Sequence, residues 1–205
     1  MTTGARRGLT RTGIIRTALE LGFPAITMSD VAARLQVTKP ALYRHVSNRR
    51  DLVLAAIDAL FADAPQPSQD LPWRQLLRDE AVIRYHLERA HPGMLAAWDE
   101  AGGWPEAEVH RIHQLVLALA SQGFSTESAY IATHSVVQVA HGEARQNTEL
   151  AMFDGAPADT SFLDAYPAEL AEIIAGLGSD PEGFLHRRLD LVIAGIAGEL
   201  APHEG

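Results

Sequence analysis

The chain has 205 residues, is 47% hydrophobic and 21% charged, and contains no cysteine. That length can bury a substantial core in one or two domains, and the lack of cysteine excludes disulfides, thiolate metal sites and cysteine nucleophiles. The net charge of −9 is unevenly spread: residues 1 to 50 hold nine Lys or Arg against Glu20 and Asp30, a net of +7, and the remainder carries −16. A basic end on an acidic chain points to a polyanionic partner for that end. No apolar run reaches the length of about 18 residues that a transmembrane helix needs. The early arginines are followed by no apolar segment or small-residue cleavage site, so no secretory signal is expected and a cytoplasmic location is. Alanine and leucine are abundant and β-branched runs are scarce, which predicts an all-α fold.

Residues 1–9 read as a polar, basic, mobile arm. Thr10 is placed to cap a helix over 11–21, whose apolar positions Ile14, Ile15, Ala18, Leu19 and Leu21 recur at helical spacing. Gly22 suits the C-cap, and Pro24 blocks continuation. Ser29, with Asp30 behind it, reads as the cap of a two-turn helix ending near Leu35. After Gln36-Val37-Thr38 a second helix begins, capped by Thr38 with Pro40 in its first turn. Leu42 and Val46 lie four apart on its inward side, and Lys39, Ala41 and Arg44 on the other. Asn48 caps a third helix, about 49–63, expected to connect an N-terminal domain (1–63) to a larger one (64–205) across the Pro-rich break at 64–70. Further helices are expected at about 72–89, from Pro92 to the Gly102-Gly103 pair, at 105–121, 126–150, 167–177 and 181–200, with a loop at 151–162.

Two helices joined by a tight turn, the second exposing basic and small side chains, make a helix-turn-helix, whose second helix fits the DNA major groove. Lys39 and Arg44 can reach guanine acceptors or phosphates, while Pro40 and Ala41 suit a thymine methyl. Tyr43, His45 and Arg49 suit phosphates, as does the helix start at Ser29. Thr38 stands at the mouth of the second helix. On charge alone, a basic helical hairpin with solvated arginines fits as well.

Residue identity separates these readings. Thr27-Met28, Val31-Ala32, Leu35, Val37, Leu42-Tyr43, His45, Asn48-Arg49 and Leu52 resemble the DNA-binding domain of the tetracycline-repressor (TetR) family. Ile14 or Ile15, Ala18, Leu19 and Gly22 resemble that family's first helix. Gln36 departs from the glycine common at the turn. The resemblance implies an all-helical homodimer with a three-helix DNA-binding domain and a larger ligand-binding and dimerisation domain. It implies binding to a palindromic double-stranded operator, usually as a repressor released by a small molecule.

In that family two helices from each subunit form the dimer interface, and the candidates here are 126–150 and 181–200. The second is rich in apolar residues, and Ala194, Gly195, Ala197 and Gly198 would allow close approach. Gln122-Gly123-Phe124-Ser125 resembles the tetracycline repressor's own subclass over roughly 75–145. The histidine expected near that subclass's short sixth helix has no clear counterpart, with Asp99 aligning near it, which points away from tetracycline. Candidate ligand residues are His86, His110, His113, His134, Gln138 and His141 as polar handles, with Trp98 and Trp104 as walls flanking Gly102-Gly103. The histidine spacings match no metal signature, so no metal or cofactor is expected. Two other classes stay in view: a helical-domain enzyme acting on a small molecule, which lacks any nucleophile or phosphate-loop signature, and a constitutive DNA binder without inducer.

Overall fold

The computed structural model describes residues 9–152, 164–177 and 180–200. The expected N-terminal arm, up to residue 8, and the expected loop, from residue 153 onward, lie outside the described residues. Among the described residues ten α-helices follow in order: α1 Arg11–Leu21, α2 Met28–Leu35, α3 Lys39–Leu42, α4 Arg49–Asp63, α5 Trp73–Ala90, α6 Met94–Ala101, α7 Glu106–Ala120, α8 Thr126–Met152, α9 Ala168–Leu177 and α10 Pro181–Leu200. No strand occurs among the described residues.

The chain divides into two compact units, 1–63 with 91–110, and 64–90 with 111–205. In the first, α1, α2, α3 and α4 close around Ile14, Ala18, Val31, Leu42, Val46, Leu52 and Ile57, all buried. Residues of α6 join this core through Met94 and Ala97. Gly93 precedes α6 at φ 82° and lies against Pro24, where an added Cβ would come within 3.0 Å of the Pro24 Cγ. Both the left-handed backbone and the close approach therefore require glycine there.

The second unit is built on α5 and α10 packed against α8. Leu76, Leu77, Leu119, Val136, Ala140, Leu185 and Leu189 form its apolar centre. The Gln122-Gly123-Phe124-Ser125 run has a distinct job at each position. Gln122 accepts from the Trp73 backbone N–H at 2.7 Å and donates to the Leu71 carbonyl at 3.1 Å, fastening the start of α5. Gly123 turns the chain at φ 100°, Phe124 packs edge-on to Trp73, and Ser125 caps α8 through the Ser128 N–H at 3.0 Å.

Charge is buried beside this apolar centre. Glu80 receives Arg84 Nε and Arg111 Nε, each at 2.7 Å, and Arg111 Nη2 at 2.8 Å. Arg111 also donates to the Pro65 carbonyl at 2.6 Å, so this cluster holds the segment after α4. A buried ion cluster is tolerated only when its donors and acceptors are met in this way.

Candidate nucleic-acid interface

The helix-turn-helix is assembled by caps. Thr27, and not Ser29, starts α2: the Thr27 Oγ1 accepts from the Asp30 N–H at 3.1 Å, and the Asp30 carboxylate takes the Thr27 hydroxyl in return. Thr27-x-x-Asp30 is the spacing of a reciprocal capping box, whereas Ser29 is already inside the helix with its side chain exposed. The helix ends in a Schellman turn. Gln36 takes the left-handed conformation (φ 55°, ψ 40°), its N–H bonding the Ala33 carbonyl and that of Val37 the Ala32 carbonyl. Among the described residues Gln36 alone has positive φ without being glycine.

The second helix is shorter than its sequence suggests. Only Lys39–Leu42 is regular α-helix, and residues 43–45 continue as turns, the His45 and Val46 N–H groups both bonding the Leu42 carbonyl. Thr38 has the extended backbone of an N-cap but its side chain makes no capping bond. The expected register holds: Leu42 and Val46 are buried, Lys39, Pro40, Tyr43 and Arg44 are exposed, and Ala41 and His45 are half-buried. Tyr43 is 51% exposed, a large aromatic side chain left on the surface beside two cations. Among the described residues no ion pair engages Lys39 or Arg44.

Arg49 stands apart from this group. Its Nε donates to the Ile26 carbonyl at 2.8 Å and its Nη1 pairs with Glu100 at 3.0 Å. Arg50 caps the end of α6, donating to the carbonyls of Ala101 at 2.6 Å and Gly102 at 3.3 Å. Both arginines are therefore engaged inside the first unit. Arg11 is engaged too, donating to the His45 carbonyl and to Asp51, each at 2.7 Å. The Arg11 guanidinium holds the Asp51 carboxyl below its ordinary range, and the Ser47 N–H reinforces the effect.

The eight candidate ligand residues are divided between the two units. Trp98, Trp104 and His110 belong to the first unit. Trp98 packs edge-on to Phe61 and Trp104 and donates to the Gly103 carbonyl at 3.0 Å, while Trp104 is 72% exposed. In the second unit His113, His134, Gln138 and His86 are exposed, with His134 stacked on Tyr130 and His86 beside Glu182 at 3.3 Å. Only His141 turns inward, its Nε2 lying 2.9 Å from the buried Glu88 carboxylate. Glu80, Arg84, Glu88 and Arg111 are interior residues that composition and periodicity do not mark as such. The i,i+4 spacing of Glu80 and Arg84 was the available signal. No group of three or more metal-ligating side chains forms among the described residues.

A helix-turn-helix with an exposed basic second element defines a DNA-binding regulator. Residues 14–56 match the family model of bacterial regulatory proteins of the tetR family. Over 201 residues the chain is 29% identical to the class C tetracycline repressor protein of Escherichia coli, covering 92% of this chain and 90% of that one. It is 28% identical over 206 residues to an HTH-type transcriptional regulator of Saccharopolyspora erythraea, covering 92% and 85%. The fold matches that of ActR from Streptomyces coelicolor in complex with actinorhodin, with a TM-score of 0.77 at 19% identity over 96% of this chain and 99% of that one. It also matches a TetR variant from Acinetobacter baumannii AYE in complex with minocycline, with a TM-score of 0.73 at 22% identity over 94% and 99%. Residues 14–56 thus match the tetR-family DNA-binding domain, and most of the chain is similar to a tetracycline repressor protein; regulators of that family bind DNA and respond to ligands.

Proposed function

We propose that this protein is a repressor that binds a palindromic operator as a homodimer and is released by a small-molecule ligand, with 1–63 reading DNA and 64–205 holding ligand and dimer contacts. It is read as a cytoplasmic regulator without enzymatic activity, and no described helix is long and apolar enough to cross a membrane. The observation that carries the reading is the surface of α3 and the turn after it: Lys39, Tyr43 and Arg44 exposed, with no partner among the described residues, over a buried Leu42 and Val46. Ser29, Thr38, Pro40, Ala41 and His45 complete the proposed contact set, with Arg49 in a supporting place behind it.

The surface of α10 supports the dimer. Its buried side is Leu185, Leu189 and Ile193, yet Leu191 is 76% exposed and continues through Ala194, Gly195 and Gly198 on one exposed stripe. A Cβ at Gly195 or Gly198 would meet nothing within 4 Å, so no contact among the described residues calls for glycine there. Glycine inside a helix costs about 1 kcal/mol relative to alanine, and a closely approaching helix of a second copy accounts for it. Two half-sites one DNA turn apart also require two reading heads.

Ligand response is supported by the relatives, two of which are seen with minocycline and actinorhodin. Within the first unit, Arg49 and Arg50 tie the start of α4 to the end of α6, and Arg49 reaches Ile26, next to the α2 cap. A ligand that binds more tightly to a state with α6 displaced would thereby shift the reading head, and only that differential affinity would do so. The test is selection of duplexes from a random pool by purified protein. An inverted repeat whose half-sites are about 34–36 Å apart, bound by a dimer in light scattering, is expected. Recovery of no common sequence would refute the reading.

A further inference from the structure

Four residues of regular helix cannot hold their own shape, because helix formation is cooperative and its first turn is unfavourable. The pose of α3 and residues 43–48 must be imposed from outside. Leu42 and Val46 anchor one side in the core. The other restraint is polar and comes from α1 and α4. Arg11, the first residue of α1, donates Nη1 to the His45 carbonyl at 2.7 Å and Nη2 to the Asp51 Oδ1 at 2.7 Å, with a longer Nη1 contact to Oδ2 at 3.4 Å. Asp51 Oδ2 accepts the Ser47 N–H at 2.7 Å, and the Asp51 N–H donates to the Asn48 Oδ1 at 2.9 Å. One guanidinium and one carboxylate thus hold the backbone at 45 and 47, on the flank of the segment that exposes Tyr43 and Arg44.

From this network we propose that Arg11 and Asp51 are positioning residues for DNA reading: the pair sets the pose of residues 43–45 without itself touching DNA. The inference rests on α3 being the reading element. It separates Arg11 from the exposed Lys39 and Arg44, because its charge is matched by Asp51 and its fork is filled by two acceptors. It also gives Asp51 a sign opposite to simple electrostatics. Removing an acid from a DNA-binding domain should strengthen attraction to phosphates, whereas removing a positioning acid should weaken specific binding.

The experiment is fluorescence anisotropy with the full chain, a duplex selected by the wild type, and a scrambled duplex, across a salt series. Asp51→Ala is expected to bind the selected duplex about tenfold more weakly, the scale of one lost charge-assisted bond, with scrambled-duplex affinity unchanged or raised. Arg11→Lys keeps the charge and any phosphate contact but loses the planar fork, and it is expected to weaken selected-duplex binding with the salt slope unchanged. Arg11 is partly exposed, so this variant keeps the fold even if Asp51→Ala does not. Combining the two should be no worse than the weaker single variant. Equal or tighter binding of the selected duplex by folded Asp51→Ala, or wild-type affinity in Arg11→Lys, overturns the proposal. Failure of the wild type to prefer any duplex strikes the functional reading instead.

Discussion

Arg111 grips Glu80 with two parallel hydrogen bonds, Nε to Oε1 at 2.7 Å and Nη2 to Oε2 at 2.8 Å, with both side chains almost wholly buried. Arg84, fully buried, shares the same Oε1. Truncating one member of such a group leaves opposite charge in a low-dielectric interior, which is far costlier than the pair's net contribution. Glu80→Ala is expected to lower unfolding stability by about 3–5 kcal/mol in urea titrations. A loss under about 1 kcal/mol, the scale of a surface pair, would show that this carboxylate is not the electrostatic centre of the second unit.

The half-buried His91 packs edge-on to Phe23, and burial pushes its imidazole below its ordinary pKa. The unfolded chain, with imidazole near about 6.5, then binds the proton more readily than the folded one. His91 therefore contributes stability that is present above about pH 6.5 and is lost as pH falls toward the lower folded value. Thermal melts at stepped pH should show wild type losing more stability on acidification than His91→Asn. Parallel curves would contradict this. The Asp51 contribution, from a depressed carboxyl, should be lost only in stronger acid, below about pH 4.

Gln36 holds the turn between α2 and α3 at φ 55°. A side chain there costs about 1–2 kcal/mol, while glycine costs about 0.4–1 kcal/mol of extra unfolded-state entropy. The difference favours Gln36→Gly by about 0.5 kcal/mol, read as a higher urea midpoint. A lower midpoint would mean that the Gln36 side chain makes a compensating contact.

Leu191 is the most exposed large apolar residue among the described side chains of α10, on the stripe with Gly195 and Gly198. Leu191→Lys should leave helix content unchanged and shift the light-scattering mass to that of a monomer. A retained dimer would place the interface elsewhere.

Much of the fold was written in local signals. Thr10, Asn48, Ser125 and Asp180 cap where their hydroxyl, amide or carboxylate stands three residues before a free N–H. The Ser29 cap did not hold because Thr27 also has an acid three residues on, and that reciprocal pairing places the cap at Thr27. The length of α3 was not legible either, since Tyr43, Arg44 and His45 carry no helix breaker and their turns are shaped by Leu42, Val46 and Arg11. Arg49 reads as a surface cation, yet its partners Ile26 and Glu100 lie 23 residues before it and 51 after it. Periodicity carries no information at such separations. Residue type alone marks the candidate histidines, and among the described residues only His141 of them meets a buried partner, Glu88 on a different helix.

The surface of α3 and its turn can be tested directly. Tyr43→Phe combined with Arg44→Ala removes one hydroxyl and one cation from exposed positions, so the fold and assembly should survive. Anisotropy titration at about 150 mM salt should show the selected duplex bound more than about tenfold more weakly, with the light-scattering mass unchanged. Wild-type affinity in that double variant would contradict the assignment of Lys39–His45 as the element that reads DNA.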